Sequence, residues 1–243
     1  MNDLLIYFAF KYKGNNYEIQ KALKNGELVN KEDILNKTIE LEANGIKCLT
    51  IFDSEYPEDL KVYKYAPLVI FYKGNIELLN DEKICLTGDI DNYLTRTNIN
   101  KSLPNLVKHK TLISTNFKTL DKYIIAEWKN KGGKIIYPLA NGIGFNNEMP
   151  LNDNELYLSI YPPDTNPKLI RFKERNLLVA MLAKFLVIYG SKQNSGIINL
   201  AINFANVGKE VYCYPGQNNE DGNTFLIKSG ANLITHVADI YYF

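Results

Sequence analysis

Cysteine and histidine are scarce in this 243-residue chain, and their placement argues against metal or thiol chemistry. The three cysteines, Cys48, Cys85 and Cys213, each lie inside an apolar run, and no two of them form a CxxC pair. We therefore expect small buried hydrophobic residues rather than metal ligands. The two histidines, His109 and His236, fall in an expected loop and near the last strand. The sequence thus predicts no metal site, no cofactor and no catalytic serine, histidine and aspartate set.

The chain also lacks an excess of charge of one sign. Its 28 basic and 27 acidic side chains leave a formal net charge of +1. The field of the whole protein therefore cannot attract nucleic acid, and any such binding needs a local basic patch. Long apolar runs are lacking too, because the run from Phe185 to Tyr189 is far too short to span a bilayer. Residues 1–10 do not have the pattern of a signal peptide, so we expect a cytoplasmic protein without membrane contact.

The order of apolar and polar segments predicts an α/β fold. Residues 1–45 are typical of a small helical N-terminal unit, with helix-ending glycines at Gly26 and Gly45 and a helix cap at Asn30. From residue 46 to 243, strand-sized apolar runs alternate with helical segments. These runs are CLTIF, LVIFY, KICLTG, TLIST, KIIYPLA, ELYLSI, FLVIY, EVYCYPG and NLITHV. This alternation favours a doubly wound, mostly parallel sheet of the Rossmann type.

In such a sheet, ligands bind beyond the carboxyl ends of the strands, next to helix N-termini. The run FLVIY leads through GSKQNSG into a helix that opens near Ser195 and Gly196, where a small residue lets backbone amides approach an anion. Ser195 as a simple helix cap explains the same residues. The run EVYCY ends in Pro215-Gly216, which is also a common turn, and Asp221 or Asn223 then caps the last helix.

A basic cluster with an aromatic residue precedes these loops. In PKLIRFKER, a single acid, Glu174, opposes the cations around Phe172, which are Lys168, Arg171, Lys173 and Arg175. Cations spaced for phosphates around a ring that can stack on a base are typical of single-stranded nucleic-acid binding. A solvated charged loop with Phe172 in the core is the competing interpretation. We place Arg175 and Asn176 at a helix start, where a cation opposes the helix dipole and indicates an anionic partner.

These motifs together resemble the DNA-processing proteins called DprA or Smf. The matching elements run in the family's order from about Tyr157 to Asp239: LSIYPP, Phe172 with Arg175-Asn176, Ser195-Gly196, Tyr214-Pro215-Gly216 and GNTFLIKSGA. The stretch EYPEDLKVYKYAPLVIFYKGN at 55–75 is also similar, so the resemblance covers nearly the whole chain.

The resemblance implies an extended Rossmann fold that binds single-stranded DNA, protects incoming strands and helps to load the recombinase RecA. It implies a homodimer without catalytic activity, which acts in recombination and DNA uptake during natural transformation. The family motifs imply that the DNA backbone is faced by Leu86-Thr87-Gly88, Ser114, Phe172, Arg175, Asn176, Ser195, Gly196 and Gly216. The flanking cations Arg171 and Lys173 are added to this set from the composition of the cluster.

The chain departs from the family pattern mainly in its middle. Gly88-Asp89-Ile90 stands where the family has Gly-Ser-Arg, which exchanges a cation for an anion and should weaken DNA binding. The loop STNFKTLD keeps Ser114 and Asp121 but loses both glycines of the family loop. Three further family residues, a histidine, a second arginine and a glutamate, are replaced by Ile125, Leu177 and Tyr189. We expect a diverged, short member without the winged-helix domain that some members append.

Three classes of function remain open at this point. The first is a single-strand-binding module of the DprA type. The second is a degenerate Rossmann scaffold that acts through protein contacts, which the Asp89 exchange favours. The third is a nucleotide-binding or hydrolysing Rossmann enzyme, but the Pro-Gly-Gly-x-Gly-Thr loop of such enzymes is replaced here by PGQNNEDGNT.

Overall fold

The computed structural model describes residues 2–117, 119–145, 150–163 and 165–241. Its helices are α1 (Asn2–Lys11), α2 (Asn16–Lys24), α3 (Lys31–Ala43), α4 (Glu58–Lys61), α5 (Tyr93–Leu106), α6 (Thr119–Asn130), α7 (Leu169–Leu182), α8 (Gly196–Asn206) and α9 (Gly222–Lys228). Its strands are β1 (Lys47–Thr50), β2 (Val69–Gly74), β3 (Lys83–Thr87), β4 (Thr111–Ile113), β5 (Ile135–Pro138), β6 (Glu155–Ser159), β7 (Leu186–Ile188), β8 (Val211–Cys213) and β9 (Asn232–Leu233). Each of the apolar runs named above overlaps a strand, so the predicted α/β fold is confirmed.

The chain divides into two compact units. The first unit comprises Met1–Ile76 and Leu139–Phe172, and the second comprises Glu77–Pro138 and Lys173–Phe243. The predicted domain boundary at residue 45 stays a prediction.

The first unit packs three helices against a small antiparallel sheet. Strand β1 pairs with β2 and β2 pairs with β6, both antiparallel. Leu5, Phe8, Ile19, Leu41 and Phe71 are among the buried residues of one core cluster that joins the helices to these strands. The capping predictions are confirmed here: Asn30 accepts the backbone N–H of Glu32 at 3.1 Å, and Gly26 and Gly45 have φ near +60° just after their helices.

The second unit holds a parallel sheet in the order β5-β4-β3-β7-β8-β9. Every residue of β3, β4, β5 and β7 is buried, as expected for strands that are covered on both faces. Along the chain, β4 and β5 follow β3 on one side of the sheet, and β7, β8 and β9 then follow on the other side of β3. The order therefore reverses between β3 and β7, which is where Rossmann-type proteins bind their ligands.

The cysteines lie in strands, as the sequence predicts. Cys85 and Cys213 are buried in β3 and β8, and Cys48 is half-buried in β1. Burial raises the pKa of Cys48 to about 11 and that of Cys213 to about 12. Burial of this kind makes a thiol less reactive than an exposed one.

Two helices differ from the sequence prediction. Helix α5 is not predicted, because its residues are rich in Thr and Asn and include Pro104. It forms because Asn92 and Thr95 make a capping box and because Ile99, Leu103 and Leu106 bury one face.

The prediction that Arg175 and Asn176 lie at a helix start is wrong. Helix α7 begins at Leu169, so these two residues lie in its second turn, where the helix dipole argument no longer applies. The first turn is hard to recognise because Leu169 and Ile170 are 80% and 56% exposed and give no amphipathic pattern.

Within the described ranges, no helix is long and apolar enough to cross a membrane.

Candidate functional site

Two glycines bring the carboxyl ends of β3 and β7 together. A side chain at Gly88 would lie 2.4 Å from Leu120 Cδ2 and 3.0 Å from the carbonyl oxygen of Gly190. That carbonyl accepts the backbone N–H groups of Asp89 at 2.9 Å and Ile90 at 3.2 Å. Gly88 is therefore required for close packing at the point where the strand order reverses.

A buried carboxylate connects the ends of β3 and β4. Asp121, only 1% exposed at the start of α6, accepts the Thr87 hydroxyl at 2.8 Å, the Thr115 hydroxyl at 3.2 Å and the Phe117 N–H at 3.2 Å. Burial raises the pKa of Asp121, while these hydrogen bonds and one from the backbone of Gly88 act in the opposite direction. Asp121 thus fixes the loop after β4 by satisfying its donors.

Ser114 is part of that same loop. Its hydroxyl accepts the backbone N–H of Asn116 at 3.3 Å, and its own N–H donates to Ile136 O at 3.1 Å. Asn116 adopts φ +49°, a conformation that Asn tolerates better than most residues. The side chain of Ser114 is 2% exposed and supports the turn.

Arg175 and Asn176 join this loop to helix α8. Arg175 Nη1 lies 3.5 Å from Thr115 O, and Nη2 donates to Asn176 Oδ1 at 3.1 Å. Asn176 Nδ2 in turn donates to Asn199 Oδ1 at 3.2 Å. Both side chains are mostly buried. Sequence reasoning missed Thr115 and Asn199, because only the three-dimensional fold brings their loop and helix to α7.

The neighbours of Arg175 on α7 divide into buried and exposed residues. Arg171 is buried, donates to Asn166 through Nη1 and lies over the ring of Tyr161 at 5.0 Å, so it holds the segment before the helix. Phe172 and Lys173 are exposed. Phe172 lies one turn before Arg175 and Asn176, which puts the ring on the same side of the helix.

The next loop opens helix α8. Ser195 is its N-cap and accepts the backbone N–H of Ile197 at 3.1 Å, so the capping interpretation is confirmed. Gly196 is exposed, and a side chain there would meet nothing within 4 Å. The space beside Gly196 where a side chain would lie is therefore open, and the Ser195 oxygen accepts the capping bond.

The loop after β8 surrounds a carboxylate of the chain itself. Asp221 caps α9 and accepts the N–H groups of Gln217 at 2.5 Å, Thr224 at 2.8 Å and Asn218 at 3.3 Å. Burial alone would raise the pKa of Asp221, but these bonds outweigh it and hold the pKa below its ordinary value. A side chain at Gly216 would lie 2.0 Å from Thr224 Oγ1 and 2.4 Å from Asp221 Oδ1, so Gly216 is required for this loop to close.

Asn223, the other predicted cap, has a different role. Its Nδ2 donates to Ile188 O at 3.0 Å and to Tyr214 O at 2.9 Å, and its Oδ1 accepts the Ser191 hydroxyl at 2.8 Å. This single amide joins the carboxyl ends of β7 and β8 to helix α9. Asn223, which stands between Gly222 and Thr224, therefore holds two strand ends together by hydrogen bonds.

Charges of both signs meet at this edge. The guanidinium of Arg175 and the positive end of the α8 dipole favour an anion, and the carboxylates of Asp89, Asp121 and Asp221 oppose one. In the part of the chain that the structure describes, no three His, Cys, Asp or Glu side chains form a group that could hold a metal ion. The fixed hydrogen-bond donors at this edge can therefore bind anions and amide groups.

A parallel sheet with this strand order and these strand-end loops defines a Rossmann-like α/β protein. A model of the DNA recombination-mediator protein A family matches residues 47–243. The chain belongs to this family.

Two curated relatives are similar to the chain in sequence, and two solved structures share its fold. The chain is 25% identical over 269 aligned positions to the DNA processing protein DprA of Streptococcus pneumoniae, covering 97% of this chain and 95% of the relative. It is 27% identical to the Bacillus subtilis DprA, covering 81% and 71%. The crystal structure of the S. pneumoniae protein matches with a TM-score of 0.80 over 99% of this chain and 97% of that one, at 24% identity. The structure of the Helicobacter pylori protein, described for its single-stranded DNA binding mode, matches with a TM-score of 0.67 over 80% and 93%, at 21% identity.

Two glycine substitutions should show that Gly88 is closely packed and that Gly196 faces open space. Gly88→Ala should lower the thermal midpoint of unfolding, because overpacking of this kind costs about 1–3 kcal/mol. Gly196→Ala should leave the midpoint unchanged or raise it slightly, because its new methyl group meets open space. Circular dichroism melts of both variants beside wild type measure this. Equal midpoints for the two variants would contradict the packing described at Gly88.

Removal of the Asp221 carboxylate should give a pH-dependent loss of stability. Asp221→Ala should cost about 1–2 kcal/mol at pH 7 in urea unfolding, as expected for a lost cap. The pKa of Asp221 is lower in the folded protein than in the unfolded chain. The stabilisation is therefore fully present above the ordinary aspartate pKa of about 3.9. It is lost as the pH falls through the lower pKa of the folded protein. The difference from wild type should therefore shrink only below about pH 4.

The matched control for Asp221 is Glu220→Ala, which removes an exposed neighbouring acid. It should change stability little at any pH. A cost equal to that of Asp221→Ala would mean that net charge, rather than the loop bonds, is responsible.

Proposed function

We propose that this chain binds single-stranded DNA along the carboxyl edge of the sheet in the second unit. The observation that carries the proposal is the amide link from Asn176 to Asn199, 3.2 Å long. It holds the Arg175 guanidinium beside the first turns of α8, whose opening residue Gly196 has open space before it. A fixed cation and an open helix N-terminus at one strand edge suit the phosphates of a flexible strand.

The contacts follow from the placement of each residue. Arg175, Asn176 and Lys173 bind phosphates together with the backbone near Ser195 and Gly196, and Phe172 stacks on one base. Gly88, Ser114 and Gly216 bring the backbone of the other strand-end loops close to the DNA, and Arg171 positions the start of α7. Because these contacts go to phosphates and to one π-face, the preference for base sequence is weak.

The biological role follows from the family. The names of the relatives as DNA processing proteins and the single-stranded DNA binding mode described for the H. pylori protein support a role in DNA recombination. We infer that the chain protects incoming strands, assists the loading of a RecA recombinase and acts as a homodimer.

A binding role without catalysis also accounts for the loop after β8. In a nucleotide-hydrolysing relative this loop would offer its amides to a phosphate. Here the amides of Gln217, Asn218 and Thr224 bind the carboxylate of Asp221. A nucleotide phosphate would have to displace a buried anion from the same donors.

Arg175→Ala should weaken binding to a labelled oligothymidine and should reduce the log-log salt slope by about one unit. The reason is the loss of one phosphate contact with its released counterion. Fluorescence anisotropy at several salt concentrations measures both quantities. The salt slope matters because Arg175 also supports the loop after β4, and loss of that support alone would leave the slope unchanged.

The matched control for Arg175 is Lys131→Ala, which removes an exposed cation just before β5, at the amino end of the sheet. It should leave affinity and slope close to wild type. Absence of binding by the wild-type chain at low salt would contradict the proposed function and favour the scaffold role.

Phe172→Ala should cost about 1–3 kcal/mol of binding free energy for oligothymidine, the amount typical of one stacked base. The same substitution should not change binding to an abasic strand of equal length, which has phosphates but no rings. Phe225→Ala, which removes an exposed ring from helix α9, is the control. An equal loss on both strands would assign Phe172 a packing role instead.

A further inference from the structure

The segment Gly190–Ser195, called here the β7–α8 loop, crosses the carboxyl edge where the strand order reverses. Its backbone is held at several points: Gly190 O accepts from Asp89 N and Ile90 N, and Ser191 O accepts Gly222 N at 2.7 Å. The Ser191 hydroxyl donates to Asn223 at 2.8 Å. The loop is therefore fixed in shape, and the directions of its N–H groups are set by the fold.

One of these N–H groups already binds an anion that belongs to the chain. Asp89 Oδ1 accepts the backbone N–H of Lys192 at 2.9 Å, between residues far apart in the sequence. This contact lies at the exposed surface of the edge, and the Asp89 side chain is only partly buried. The carboxylate thus lies where solvent and ligands reach it.

A carboxylate and a phosphate compete for the same chemistry at such a position. Both are anions that accept bonds from backbone N–H groups of loops and helix N-termini. A phosphodiester approaching the β7–α8 loop finds the Lys192 N–H occupied and meets a like charge at close range. Like charges placed together across an interface oppose binding and change its salt dependence.

We propose that Asp89 is an internal competitor of the DNA backbone, which occupies a phosphate position on the β7–α8 loop and sets the affinity of the edge below what its donors would otherwise give. This inference rests on the proposed function, because the ligand is the same strand. It assigns to Asp89 a regulatory role: only a strand that displaces or bypasses this carboxylate binds tightly.

Asp89→Asn is the sharpest test, because asparagine keeps an oxygen that can accept the Lys192 N–H, removes the charge and puts an NH2 group in place of the second oxygen. The variant should bind a labelled oligothymidine about threefold to tenfold more tightly than wild type at low salt. The gain should shrink as salt rises, since the repulsion is screened. Loss of structure is expected to weaken binding rather than strengthen it, so a gain of affinity is easier to interpret than a loss.

The matched control is Glu210→Gln, which makes the same change of net charge at the amino end of the same sheet. Glu210 accepts Asn232 Nδ2 at 2.6 Å, and glutamine keeps an acceptor oxygen for that bond. Its affinity should equal that of wild type. Equal gains in both variants would show an effect of net charge and would overturn the role of Asp89.

The outcomes also separate this inference from the proposed function. If wild type binds and Arg175→Ala weakens it, but Asp89→Asn binds as wild type does, the inference fails and the function stands. If wild type binds and Asp89→Asn binds more tightly while Glu210→Gln does not, the function and the competitor role are both supported. If no variant binds oligothymidine at low salt, the proposed function and the inference both fail.

Discussion

Burial of the Asp121 carboxylate at the ends of β3 and β4 is the constraint on which the candidate site depends. A buried carboxylate is costly unless its oxygens are fully bonded, and Thr87, Thr115 and Phe117 supply those bonds. The loop after β4 therefore favours the conformation in which Thr115 and Phe117 donate to Asp121. That conformation presents the Thr115 carbonyl to Arg175, which in turn positions Asn176 against α8. Groups on three helices and two strand ends are thus ordered by one buried carboxyl group.

The same principle recurs along the carboxyl edge. Asp121, Asp221 and Asp89 each satisfy backbone or hydroxyl donors of a strand-end loop. In the loops after β4 and β8, backbone donors are bonded to carboxylates of the chain. Donors that are held in place lower the entropy cost of binding, but the negative charge opposes a polyanion. The balance between preorganisation and repulsion distinguishes this edge from one lined by glycine-rich loops.

The sequence predicts the fold far better than the site. Apolar strand runs and the caps at Asn30 and Ser195 are local signals, and the structure has each of them where it was expected. The sequence predicts Arg175 at a helix start because the exposed Leu169 and Ile170 give the first turn of α7 no amphipathic pattern. Thr115 and Asn199 carry no local signal, since they meet α7 only through the topology of the sheet. Motif order identified the family, but it could not indicate that Gly88 and Gly216 are required for packing.

Hydrogen–deuterium exchange of the full chain, with and without saturating oligothymidine, tests most directly whether DNA lies along the carboxyl edge. We expect slower exchange on binding in the β7–α8 loop, in the first turns of α8 and in the loop after β4. The segments that precede β3 and β5, at the amino end of the sheet, should exchange at unchanged rates. Protection limited to that amino end, or absent from both ends while the strand is bound, would contradict this account.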